Sequence, residues 1–368
     1  MFDVVIPAAA MAFLGAFVVG LVLMWMRRPI EGIGRDRNDS NAVQASHVGE
    51  PLRLGGVAVF AGLLFGSVLL RNQSSGEFTI LLLVATVPVF LAGLAEDLGH
   101  LVSPAGRFIA SLFSAAVAVV LLDIWIQEPD LPGLAAVFST PMIAIVITIL
   151  FAGSYCHSVN LIDGMNGLSS VVVISSALGI AVVAADADLG QISALALLLA
   201  AAMAGFLLFN WPKSFLILGD AGAYGVGHVL VWLAIGLGEL APSTPTASIL
   251  LILFWPLADT LHTIFRRLFA GQSVLKPDRM HLHQKIRRGL EIAVIGTGKR
   301  ELSNPATTLL MVPMTALPVI AGVALKDNVA MAWLALGVFA IAFSSLHVAI
   351  TAVVRARRRR GGEPDAID

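Results

Sequence analysis

The chain has 368 residues, 58% of them hydrophobic and only 13% charged, with a mean hydropathy of +0.89. That composition excludes an ordinary soluble domain, in which about 25% of residues are charged, and the lone Cys156 excludes an internal disulfide. The net charge of −1 says little, because where the charges fall matters more than their sum.

Apolar runs of about 20 residues, enough to cross roughly 30 Å of hydrocarbon, fall at 4–26, 53–70, 78–95, 105–122, 139–157, 168–185, 191–209, 222–238, 247–268, 306–325 and 329–354. They predict an all-α, polytopic membrane protein of eleven spans forming a single domain over 1–368. The first run lacks a basic leader and is too long for the core of a signal peptide, so it reads as a span. No basic residue precedes it and Arg27 and Arg28 follow it, which places the N-terminus outside and, with an odd count, the C-terminus in the cytoplasm. Threaded this way, 21 of the 23 lysines and arginines become cytoplasmic, and only Arg71 and Lys326 lie opposite. A missed or extra span would invert everything after it, so the bias supports both count and orientation. The longest loop, 269–305, is cytoplasmic, and the basic then acidic tail 355–368 reads as a topology and anionic-lipid anchor and not a nucleic-acid site.

Ionisable residues beside the bilayer are costly and mark function. Five polar clusters fall at the cytoplasmic ends, and the first holds His47 and Arg53. Next come Glu96 and Asp97, adjacent acids that diverge by about 100° on a helix. Asp97 is assigned the chemical role and Glu96 a supporting or water-linked one. Asn160 and Asp163 share a helical face, and Gly164 and Gly167 turn Asn166 into a loop. Their oxygens, with that of Asp220, suit magnesium. In Gly219-Asp220-Ala221-Gly222 the backbone N–H groups stand at a helix N-terminus and favour phosphate, the plainer reading being that Asp220 only caps the helix. His281 and His283 point the same way on an extended stretch. With Arg279, Lys276 and Lys285 nearby, they predict an anion clamp and not a zinc site, while His228, His262 and His347 read as packed or helix-end histidines.

Asn160-Leu-Ile-Asp163-Gly-Met-Asn166-Gly, Gly219-Asp220-Ala-Gly, Pro256-Leu-Ala-Asp259-Thr, Arg266-Arg267 and Asp278-Arg279-Met-His281-Leu-His283, in this order, resemble the polyprenyl-phosphate sugar-1-phosphate transferases. That family begins the lipid intermediates of common antigen, teichoic acid and peptidoglycan. The resemblance runs from about residue 27 to 305 and departs from the usual pattern at Glu96, Asn166 and Gln284. It implies transfer of a sugar 1-phosphate from a UDP-sugar to undecaprenyl or decaprenyl phosphate, with release of UMP, at the bacterial inner membrane. The catalytic set implied is Asp97, Asp163, Asp220, His281 and His283, and the substrate-binding set is His47, Arg53, Glu96, Asn166, Lys213 and Arg279. Mg2+, or Mn2+, is expected on Asp220 and Asn160, and a homodimer is compatible with the sequence. A secondary transporter would place its ionisable groups at the bilayer midplane, and an inactive lipid-linked scaffold would not bind Mg2+.

Overall fold

The computed structural model describes residues 2–27, 51–71, 74–130, 133–273, 278 and 280–361. In chain order the helices are α1 (Phe2–Trp25), α2 (Gly55–Leu70), α3 (Ser74–Asp97), α4 (Pro104–Leu122), α5 (Ala135–Phe138), α6 (Pro141–Ile162) and α7 (Leu168–Asp186). They continue as α8 (Gly190–Asn210), α9 (Gly219–Leu240), α10 (Thr246–Ile252), α11 (Phe254–Phe269), α12 (Leu282–Leu290), α13 (Arg300–Ala324) and α14 (Val329–Gly361). A π-helical turn (Glu291–Ile295) follows α12. A single parallel bridge, Leu52 to Leu216, is the only β pairing among the described residues.

The chain is thus an all-α, multi-pass membrane protein, but the span count differs from the expected eleven. Among the described residues nine helices are long and apolar enough to cross, and the bent pair α10 and α11 makes ten. α2 has 16 residues, which rise about 24 Å and fall short of a full hydrocarbon thickness. The run 247–268 is not one straight span, because its two halves meet at 89°. Pro256 lacks an N–H donor near the start of α11, and Asp259, His262, Arg266 and Arg267 make this half too polar to be bathed in lipid. Trp255, Asp259, Thr263 and Arg267 recur every four residues on its buried face, and Leu261, Phe265, Leu268 and Phe269 are exposed.

α9 is the axis of the bundle. Every residue from Gly219 to Leu237 is buried, as expected of a helix apolar on all sides. α2, α3 and α6 surround it, α1 packs on α2 and α8, and α13 packs on α7. Close approach depends on small residues: a Cβ on Gly93 would collide with the backbone of Ala221, and one on Gly56 with that of Gly222.

Polar contacts gather at the two ends of this bundle. At one, Glu239 accepts the Gln127 N–H at 3.0 Å, the Asp130 carboxylate accepts that of Thr246 at 2.6 Å, and Lys326 approaches Asp186 at 3.7 Å. The clusters singled out in the sequence meet at the other end.

Candidate functional site

Asp220 begins α9 between two guanidinium groups. Its Oδ1 accepts from Arg53 Nη2 at 3.2 Å, and its Oδ2 pairs with Arg107 Nη1. Arg53 also donates through Nε to Asp97 Oδ1 at 3.0 Å, while Arg107 lies 3.7 Å from Glu96 Oε1. The adjacent acids at the end of α3 therefore diverge, as expected, yet both reach Asp220, each through its own arginine. Glu96 also accepts the Val102 N–H at 2.8 Å.

The first turn of α9 corrects one expectation. The N–H groups of Asp220 and Ala221 donate to the Asp97 carboxylate at 3.0 and 2.8 Å, so this acid from a neighbouring helix takes the place read as a phosphate seat. Its negative charge meets the positive end of the helix dipole. Gly219 permits the approach: its φ is +72°, and a Cβ there would stand 2.6 Å from Asp97 Oδ2.

The loop between α6 and α7 adjoins this cluster. Asp163 ends α6 and accepts from Ser169 Oγ at 2.6 Å. Burial pushes the Asp163 carboxyl up to about 7, against the Ser169 hydrogen bond and the charge of Arg53, while Asp97 and Asp220 add to the rise. Asn160 turns its amide Nδ2 to Tyr224 Oη at 3.1 Å, and the Tyr224 ring lies 4.7 Å from that of His157. Asn166, expected to bind substrate, ties the loop down instead. Its Nδ2 donates to the Pro212 carbonyl at 2.7 Å, its N–H to Asn304 Oδ1 at 2.8 Å, and its carbonyl accepts from Thr308 at 2.6 Å. Lys213 is exposed in the turn after α8 and joins neither cluster. His47 and Arg279 lie outside the described residues.

A second cluster forms where α12 docks on α11. His281 is extended, with ψ at 149°, and α12 starts at the next residue. The rings of His281 and His283 do lie side by side, 5.6 Å apart and 7° from parallel. His281 Nδ1 is 2.7 Å from Asp259 Oδ2, and Asp259 Oδ1 accepts the Leu282 N–H at 3.2 Å. Burial opposes a charge on His281, but Asp259 outweighs it and holds the pKa above the usual value. Burial and the nearby cations drive His283 down to about 3, against the pull of Asp259, so that ring is neutral at physiological pH. The expected pair of imidazolium cations is therefore narrowed to His281. Its Nε2, like both ring nitrogens of His283, is buried without a hydrogen-bond partner.

Asp278 joins Arg266 and lies 3.9 Å from Arg267, which fixes the start of this loop on α11. Lys285 Nζ donates to His347 Nδ1 and Thr351 Oγ1, both at 2.9 Å. His262 stacks on His347 with ring centres 4.0 Å apart. These two histidines, read as packing residues, thus belong to the polar cluster. The two clusters adjoin: Ile162, Met165 and Leu168 share an apolar core with Leu282, Ile286 and Phe343.

Two residues at the centre of the site were not assigned a role from sequence. In the sequence Arg107 is one of the 21 cytoplasmic basic residues, and Asp259 belongs to the motif from Pro256 to Thr260. An acid inside an otherwise apolar run was the available signal.

The oxygens of Asp220, Asp163 and Asn160 are of the donor type that magnesium takes. Among the described residues no three His, Cys, Asp or Glu side chains converge as a ready cage. Both oxygens of Asp220 are held by Arg53 and Arg107, so an ion there would have to displace an arginine.

Residues 79–238 match the family described as Glycosyl transferase family 4. The chain is 27% identical over 235 residues to a probable undecaprenyl-phosphate N-acetylglucosaminyl 1-phosphate transferase of Bacillus subtilis, covering 64% of this chain and 65%, slightly under two thirds, of that protein. A decaprenyl-phosphate N-acetylglucosaminephosphotransferase of Mycobacterium leprae is 25% identical, over 76% of this chain and 78% of the relative. An undecaprenyl-phosphate alpha-N-acetylglucosaminyl 1-phosphate transferase of Escherichia coli (strain K12) is 23% identical over 94% of each chain.

Proposed function

Because this chain belongs to the polyprenyl-phosphate sugar-1-phosphate transferase family, we propose that it transfers N-acetylglucosamine 1-phosphate from its UDP-sugar to undecaprenyl or decaprenyl phosphate. An acceptor phosphate oxygen bonds to the sugar-bearing phosphorus, the bond from that phosphorus to the bridging oxygen breaks, and UMP leaves with that oxygen. The observation that carries this reading is that Asp220 with its two arginines and the Asp259–His281 pair adjoin, the loop after α6 sharing an apolar core with α12.

The acceptor needs little deprotonation, because a phosphate monoester is mostly dianionic near neutrality. The difficulty is to bring two anions together. Arg53 and Arg107 are placed to exchange their hold on Asp220 for phosphate oxygens, with the planar geometry that suits them. Mg2+ held by Asp220 and Asn160 would supply positive charge against the diphosphate of the UDP-sugar as UMP leaves. Asp163, with its carboxyl near 7, takes up a residual proton from the acceptor. His281 donates to the nucleotide phosphates through Nε2, its other nitrogen being fixed by Asp259. Asp97 holds α9 and Arg53 in place.

The protein would lie in a bacterial inner membrane with this end in the cytoplasm. Purified protein incubated with UDP-N-acetylglucosamine, undecaprenyl phosphate and Mg2+ should release UMP and a lipid-linked sugar in equal amounts. No release with any of a panel of UDP-sugars would overturn the reading. For orientation, Gln272→Cys should resist a membrane-impermeant maleimide in intact cells while Asp327→Cys reacts. The reverse pattern would overturn the threading.

A further inference from the structure

The last helix has little cover: only 11% of its most apolar stretch is buried. Histidine occupies one of its few buried positions, since His347 is 1% exposed, and Phe343 lies one turn before it. A polar side chain in a membrane helix is costly unless partners offset it, so what His347 touches matters.

It touches the imidazole cluster from behind. Lys285 Nζ donates to His347 Nδ1 at 2.9 Å. An ammonium has only donors, so Nδ1 must accept and the ring proton of neutral His347 sits on Nε2. That nitrogen points to Asp259 Oδ1 at 3.9 Å, too long for a hydrogen bond and close enough for its dipole to favour the carboxylate. The opposite oxygen of Asp259 holds His281. His262 stacks on the His347 ring with centres 4.0 Å apart, and Phe343 lies tilted against it at 5.3 Å. Lys285, His347, Asp259 and His281 thus form a chain running from α12 through α14 and α11 and back to the residue that precedes α12.

The geometry points to His347 as a positioning residue that sets the Asp259–His281 pair and the α12 loop for the nucleotide-sugar, which makes the last helix part of the donor site. This rests on the reading that His281 meets the nucleotide phosphates. The family match ends at residue 238, well before α14, and Arg287, Glu291 and Ser303 anchor the far end of α12 independently. The role is therefore local to the His281 end.

The test uses full-length protein in lipid nanodiscs with His347→Ala, His347→Gln and Lys285→Met. His347→Ala should raise KM for UDP-N-acetylglucosamine by about 10- to 100-fold, the usual cost of losing a group that orients a ligand, with KM for undecaprenyl phosphate within about twofold. His347→Gln, whose amide keeps both a donor and an acceptor, should recover most of that loss. Lys285→Met should resemble His347→Ala, and the double variant should be no worse than either. Hydrogen exchange provides a readout that needs no activity: amides of 282–290 should exchange faster in His347→Ala while those of 219–237 keep their protection. Unchanged KM and exchange would overturn the proposal. So would an equal loss for both substrates with a lowered melting temperature and no rescue by glutamine. If wild type transfers no sugar phosphate, the proposed function fails, and the exchange data still decide the positioning role.

Discussion

The cluster around Asp220 and the cluster around Asp259 each place charge at the edge of an apolar bundle, and they satisfy it differently. Around Asp220 the carboxylates are met by arginines: both oxygens of Asp220 and both of Asp97 have partners. Around Asp259 one carboxylate supports several imidazoles, and His281 Nε2, both nitrogens of His283, Gln284 Oε1 and Arg287 Nε are buried without a partner. Buried polar atoms are seldom left so. The first cluster is a set of opposed charges in which a phosphate would compete with Asp220 for the arginines, although Arg107 Nε is itself buried without a partner. The second is a scaffold that fixes one face of His281 and leaves the other able to donate. Exchange suits the two reacting phosphates, and fixed donation suits recognition of the nucleotide.

The largest effect expected from this contrast is at Asp220. Asp220→Asn keeps the shape but removes the charge that both arginines share and that a metal would need, and kcat should fall by about 10²- to 10³-fold. Thermal stability should also fall, because both guanidinium groups lose their counter-charge, and a variant that turns over normally would leave Asp220 a structural role alone.

Asp259→Asn should cost less, about 10- to 100-fold, and fall mainly on KM for the UDP-sugar. It should also move the pH profile. Asp259 raises the His281 pKa above the ordinary 6.5 or so, so the imidazolium, and the stability it contributes, is complete below that value and is lost as pH rises through the raised one. Removing the carboxylate leaves burial unopposed, and the alkaline fall in kcat/KM should shift to lower pH. An unmoved limb would detach His281 from donor binding.

Arg107→Lys keeps the charge and loses the planar fork, and should lower kcat by about tenfold. If the arginines exchange partners, KM for the lipid phosphate should rise with it. A fall in thermal stability without change in either constant would make Arg107 purely structural.

The smallest effect belongs to Ser169. Its hydroxyl donates to Asp163 and lowers a carboxyl that burial has raised to about 7. If the carboxylate is the active form, rate is lost as pH falls through that value, and Ser169→Ala should move this acid limb upward by about one unit. A limb that stays in place would remove Asp163 from the proton path.

The spans were legible because an apolar run of sufficient length has one use in a membrane, and the clustering of Arg53, Asp97 and Asp220 followed from their ends of the runs. What remained hidden was specific pairing. Arg107 contributes a charge to the sequence, but its partner Asp220 is 113 residues away, and no spacing announces it. The break at Leu253 was obscured because α10 and α11 together are apolar enough for one span. Only Pro256 and Asp259 hinted that the second half turns aside. His347 was masked by the converse rule, that histidines inside spans pack, which holds for His228 beside Thr86 at 3.0 Å.

The turn between α10 and α11 has a mechanical consequence. With Leu261, Phe265, Leu268 and Phe269 on one side and Asp259 on the other, α11 has the division of faces found in helices that float at a membrane surface. A float keeps its level by the boundary between oil and water, whereas a rigid span is levelled by the distance between two boundaries. Asp259, riding on α11, should then hold constant depth relative to a lipid headgroup as the bilayer thickens, while the far ends of the long helices absorb the mismatch. KM for the lipid phosphate should accordingly vary less than about twofold between vesicles of short and long acyl chains, and a steep dependence would show that α11 sinks and rises with the spans.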